Sequence, residues 1–196
     1  MPTKTEQLAA LALEIGADKI LPLRESNLVF GEGNPNTEVL FIGEAPGARE
    51  NELRRPFVGR SGQLLDKLIG ELGWQREEVY ITNIVKRRPP DNRDPSPEEI
   101  ASYQPYLTRQ IEIISPLLVA PLGRFAMNYF LPLGKISRDQ GKLFPIKNLF
   151  IYPLFHPSAA LRGTATLNEL RRSFQKLPAA ITKCRTLLQA QAGDYT

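Results

Sequence analysis

The chain has a single histidine, His156, in Phe155-His156-Pro157-Ser158. Two carboxylates, Glu44 and Glu50, and two amides, Asn83 and Asn92, stand in or beside turn-rich stretches, and Phe57 adds a flat ring between Pro56 and Val58. A carboxylate can orient water, an amide both donates and accepts, and an imidazole can stabilise a departing anion. Arg54, Arg55, Arg60, Lys86, Arg87, Arg88, Arg93 and Arg162 surround these groups with positive charge, and Ser158 with its main chain can hold an anion. An aromatic plate, an amide that reads a hydrogen-bonding edge and a basic rim suit a nucleobase taken out of its stack. Each residue also has an ordinary structural reading. Asn83 can cap a turn, Phe57 can anchor a core, and His156 can be a buried imidazole bonded to backbone. Asn92 can be a turn residue, and the charges can be solvated surface.

These residues work together only if the fold brings their loops to one place. Val39-Leu40-Phe41-Ile42-Gly43 closes a buried strand over about 38–43, and Glu44-Ala45-Pro46-Gly47 turns away from it. Glu78–Asn83, Leu117–Gly123 and a stretch over 147–155 read as three further strands. Helices are expected over 4–16, from a Ser61 cap to about Gly73, from the Ser96-Pro97-Glu98-Glu99 capping box onward, over 124–132, and over 166–191 with a division near Pro178. Pro105 should kink or weaken the third of these. The segments 44–61 and 84–95 read as irregular loops. Strands alternating with helices predict an α/β fold with a mostly parallel sheet covered on both faces. Ligands gather at the carboxyl ends of such strands, which is where Glu44, Asn83 and His156 fall.

The 196 residues suffice for one domain, with no linker or repeat to divide it. The charge of +4 permits a polyanionic partner without demanding one. No apolar run is long enough to cross a bilayer, and the first residues lack signal-peptide character, so a cytoplasmic protein is expected. One cysteine, Cys184, excludes an internal disulfide and a self-contained four-thiolate cluster, and one histidine excludes a multi-histidine metal site. Cys184 reads as a packing residue.

Three stretches in order resemble family 4 uracil-DNA glycosylases. They are Gly43-Glu44-Ala45-Pro46-Gly47 with Arg55–Gly62, then Ile81-Thr82-Asn83-Ile84-Val85-Lys86 with Arg88-Pro89-Pro90-Asp91-Asn92-Arg93, then Phe155-His156-Pro157-Ser158. The likeness runs from about Val29 to Arg162. It implies a three-layer αβα sandwich with a central four-stranded parallel sheet, and removal of uracil from single- or double-stranded DNA to leave an abasic site, with other deaminated bases left open as substrates. It implies that Phe57 stacks on the uracil, Asn83 reads its edge, and Gly43, Glu44 and Ala45 line the pocket. Glu50 and Asn92 match catalytic positions that place water, and His156 would stabilise the leaving base. Arg60, Lys86, Arg88, Arg93, Ser158 and Arg162 are the expected DNA contacts of a monomer that works on the nucleoid DNA of a prokaryote.

The chain departs from that family at its iron–sulfur ligands. Where the family has four cysteines, this sequence aligns Arg87, Tyr103, Gly16 and Lys19, so no cluster is expected. Tyr103 is expected to fill part of the vacated volume and Arg87 to join the basic rim. A chain without the cluster could also be a catalytically weak or inactive DNA-binding protein on the same fold. A general hydrolase working through His156 fits less well, because no serine or cysteine elbow accompanies it.

Overall fold

The computed structural model describes residues 1–146 and 149–193. Helix α1 (Lys4–Ala17) opens the chain. Then come β1 (Glu32–Gly33), β2 (Val39–Gly43), α2 (Ala48–Leu53), α3 (Arg60–Gly70), β3 (Tyr80–Asn83), α4 (Pro97–Ile114), β4 (Leu118–Pro121) and α5 (Gly123–Phe130). The chain continues through α6 (Ile136–Asp139), β5 (Phe144–Ile146), β6 (Leu149–Ile151), α7 (Pro157–Ala160), α8 (Thr164–Gln175) and α9 (Leu177–Gly193).

The sheet has the order β1-β3-β2-β4-β6-β5. Its heart, β3-β2-β4-β6, is parallel, as the alternation of strands and helices implies. The short edge strands β1 and β5 pair antiparallel and, among the described residues, make the sheet six-stranded and mixed. All five residues of β2 are buried, as expected of a strand covered on both faces. Its side chains alternate. Val39 and Phe41 join the core under α3, α8 and α9, where Phe41 stacks on Phe174 with ring centroids 5.6 Å apart. Leu40 and Ile42 join the opposite core under α1 and α4.

Local chemistry sets the helix starts. Ser96 Oγ accepts from the Glu99 N–H at 3.2 Å, and a Glu99 carboxylate oxygen accepts from the Ser96 N–H at 2.8 Å, so the capping box forms. Thr3 and Glu6 cap α1 in the same way. α3 departs from expectation: Gly59 is its cap, and Ser61 is already inside the helix. α4 runs on through Pro105, held by buried Tyr103, Leu107, Gln110, Ile111 and Ile114. The expected loop 44–61 contains α2, which carries Glu50, and the 84–95 segment contains a 3-10 turn at Pro90–Asn92. The last expected strand, 147–155, is shorter: β6 covers Leu149–Ile151 and pairs with β5, which lies ahead of that stretch, and residues 147 and 148 lie outside the described residues. The expected tail helix divides into α8 and α9 next to Pro178.

Among the described residues no helix is long and apolar enough to cross a membrane.

Candidate active site

A cleft of about 560 Å³ opens at the carboxyl ends of the parallel strands. Its walls include Glu44 and Ala45 after β2, Asn83 at the end of β3, and His156 and Ser158 from the third motif. Glu50, Phe57, Asn92 and Arg162 line it too. Segments far apart in sequence therefore meet around one space.

The floor is tight. A Cβ on Gly43 would lie 2.4 Å from Asn83 Oδ1 and 2.5 Å from the Phe57 ring, so only glycine lets the amide and the ring come together there. Phe57 is 5 % exposed, and its ring centroid lies 5.7 Å from that of His156 at an interplanar angle of 32°. Among the described residues no hydrogen bond occupies the Asn83 side-chain amide, whose residue is 2 % exposed. The amide lines the cleft with its donors and acceptor unspent, where it can meet a polar edge.

His156 caps α7. The Ser158 N–H donates to His156 Nδ1 at 3.1 Å, and Ser158 Oγ lies 2.7 Å from the same nitrogen. Because a main-chain N–H can only donate, Nδ1 is the acceptor and the neutral ring carries its proton on Nε2. Burial, helped by positive Arg162 and opposed by Glu50, lowers the imidazole pKa from 6.5 to about 4. The ring is therefore neutral at physiological pH. Gly123 makes room for it: a Cβ there, at φ 87°, would lie 2.9 Å from His156 Cβ.

Glu50 sits on α2, and its Oε1 accepts the N–H groups of Val58 at 2.9 Å and Gly59 at 2.7 Å. These bonds tie the Phe57 loop to α2. Among the described residues Oε2 makes no hydrogen bond, and it is the oxygen that a Cβ on Gly47 would meet at 2.8 Å. Asn92 is exposed at the rim with φ 55°, and its Oδ1 accepts from Arg88 Nε at 2.7 Å. Burial raises the Glu44 carboxyl to about 7, with Asp94 adding to the shift and Arg124 opposing it.

The expected basic rim needs correcting at two positions. Lys86 is 0 % exposed, so it cannot reach a phosphate. Its Nζ donates to Thr82 Oγ1 at 2.6 Å, Asn83 O at 2.8 Å and Gln110 Oε1 at 2.5 Å, and burial lowers its pKa well below the usual lysine value. Arg87 is also buried, with Nη1 donating to the Ser26 carbonyl. Arg60 is exposed at the start of α3. Arg93 is exposed but gripped at both ends by Glu99, at 2.6 and 2.8 Å. The site also contains residues the sequence did not single out. Asp94 and Arg124 pair at 2.9 Å beside the cleft, and Gly123, Phe125 and Ile136 line it. Gly123 follows β4 as Gly43 closes β2, which is the signal that could have found this wall.

The four positions expected to align with iron–sulfur ligands hold no thiolate. Tyr103 is fully buried and its hydroxyl donates to Pro22 O at 2.8 Å, beside the buried Arg87 guanidinium. The buried Arg87 guanidinium, whose Nε has no partner among the described residues, already places a cation there. Gly16 lies in the last turn of α1 and Lys19 is exposed just beyond it. None of the four offers a thiolate. Among the described residues no cluster of three or more His, Cys, Asp or Glu could hold a metal.

The parallel sheet thus carries, at its strand ends, a cleft walled by ring, amide and neutral imidazole. The uracil DNA glycosylase superfamily model matches residues 30–178, and the chain belongs to that family. It is 47% identical over 155 residues to a type-4 uracil-DNA glycosylase of Thermotoga maritima, covering 78% of this chain and 80% of that one. It is 43% identical to the type-4 enzyme of Sulfurisphaera tokodaii (78% and 74% covered) and 40% identical to that of Archaeoglobus fulgidus (78% and 81%).

Proposed function

We propose that the protein, as one glycosylase domain, hydrolyses the N-glycosidic bond of uracil in single- and double-stranded DNA and leaves an abasic site. We infer further that it does so without an iron–sulfur cluster. The observation that carries the reading is the convergence of the Phe57 ring, the Asn83 amide and the His156 imidazole on one cleft. Membership of the superfamily and the names of the type-4 relatives support it.

The geometry supports one set of roles. The extruded uracil stacks on Phe57, while Asn83 pairs with its edge, donating to O4 and accepting from N3–H. Cytosine offers a donor and an acceptor in the reverse order and is refused. As the C1′–N1 bond breaks, the electron pair goes to uracil and positive charge grows on the sugar. His156 donates from Nε2–H to the O2 of the leaving anion, an interaction stronger in the transition state than in the ground state. Glu50 Oε2, with Asn92, orients the water whose oxygen bonds to C1′. Gly43, Glu44 and Ala45 form the wall against the base. Arg60, Arg88, Arg93 and Arg162 contact phosphates, so binding weakens with salt, whereas Ser158, expected among these contacts, has its N–H on His156 Nδ1.

Incubation with a uracil-containing oligonucleotide followed by alkali tests the reading. Scission at the uracil supports it. Retention of the oligonucleotide without scission, by folded protein, refutes the enzyme and leaves a DNA-binding protein.

A further inference from the structure

Phe57 has φ 50°, in the left-handed region. A bulky residue held there costs about 1–3 kcal/mol and persists only where its surroundings over-determine it. Two contacts do this. Gly62 in α3 lies against the Phe57 carbonyl, and a Cβ there would come within 1.9 Å of that oxygen. The second contact is Arg76, in the 3-10 turn Arg76–Glu78 ahead of β3 and outside the cleft.

The Arg76 guanidinium grips two consecutive carbonyls. Nη2 donates to Pro56 O at 2.5 Å and Nη1 to Phe57 O at 3.2 Å. The remaining N–H groups go to carboxylates: Nε and Nη2 to Glu32 Oε1 at 3.0 and 2.8 Å, and Nη1 to Asp66 Oδ1 at 2.5 Å. All five donors are spent, and the side chain is 13% exposed. Arg55 holds Glu32 in turn, at 2.7 and 3.0 Å. A lysine has three donors around one point and cannot reproduce this planar fork.

We propose that Arg76 is a positioning residue for base stacking: by clamping the Pro56 and Phe57 carbonyls it holds the Phe57 ring against Gly43 and Asn83 without touching the substrate. This rests on the reading of Phe57 as the stacking plate. R76Q lowers the single-turnover rate of uracil release about tenfold to a hundredfold, the cost of a plate misplaced by about 1 Å. R76K restores little of it. Affinity for an oligonucleotide with an abasic site, which has no base to stack, is unchanged. The double variant R76Q/F57A is no slower than F57A, because the clamp has lost its object. Gly62→Ala, which displaces the same carbonyl from the other side, reproduces the defect and carries the test if R76Q fails to fold. Hydrogen–deuterium exchange over residues 54–59 is slow in the wild type and fast in R76Q.

The proposal is overturned if R76Q releases uracil at the wild-type rate. It is overturned equally if its loss adds in full to that of F57A, or if abasic-site affinity falls in parallel with release. If the wild type itself releases no uracil, the stacking reading fails. The clamp is then judged by exchange alone, and unaltered exchange in R76Q overturns it.

Discussion

The main-chain N–H of Ser158 donates to Nδ1 of His156, and this bond fixes which imidazole nitrogen carries the proton. In the proposed mechanism the donor to the leaving base is a neutral Nε2–H that needs no acidic pH to form. Its pKa near 4 gives the sign of the pH dependence. The unfolded chain binds a proton at this residue below about pH 6.5 and the folded chain only below about 4. The stability His156 contributes is therefore complete above 6.5 and is lost as the pH falls toward 4. NMR titration of the single histidine should show almost no protonation between pH 6 and 8. H156A should lower the single-turnover rate about a hundredfold to a thousandfold. S158A keeps the main-chain donor and should cost far less.

Glu44 titrates where His156 does not. Its folded pKa near 7 lies above its ordinary value of 4.5, so the unfolded chain gives up this proton first. Stability is favoured below about pH 4.5 and falls as the pH rises through 7. E44Q should remove that slope between pH 5 and 8 and melt above the wild type at pH 8. Thermal denaturation at a series of pH values checks it.

Gly43→Ala places a methyl group where the Asn83 amide and the Phe57 ring now meet. The variant should lose about 1–3 kcal/mol of stability to overpacking. It should also raise the KM for uracil-containing DNA more than it alters abasic-site binding. Denaturant melts and steady-state kinetics test both parts.

Lys86 and Arg162 should separate cleanly in salt titrations. Arg162 is exposed at the cleft, so R162A should reduce the slope of log K against log salt by about one contact's worth. K86M should leave the slope unaltered and cost stability instead. It strips the donor from Thr82, Asn83 and Gln110 at a cost of about 1–3 kcal/mol.

Metal analysis of purified protein should find no stoichiometric iron, and the spectrum no cluster absorbance. Tyr103→Phe, which removes the bond to Pro22, should cost about 1 kcal/mol in a denaturant melt.

The parallel heart of the sheet was legible because β2, β3 and β4 are apolar runs that stop at turn residues. The edge strands were not: β1 has two residues and β5 three, too few to show a period. The residues that meet in the cleft were legible because three of them close or follow strands. Lys86 and Arg87 were misread because charge density along a chain says nothing of burial. Lys86 is solvated by Gln110 of α4, a partner that only the tertiary fold brings to it. The Asp94–Arg124 pair and the Arg76 clamp join distant segments whose residues look ordinary in isolation.

The most direct measurement is single-turnover base release from matched oligonucleotides carrying uracil or cytosine, by the wild type and Asn83→Ala. The wild type should free uracil and spare cytosine, and N83A should lose uracil release by about a hundredfold or more. Wild-type protein that frees neither base, or N83A that frees uracil at the wild-type rate, would contradict the proposed function.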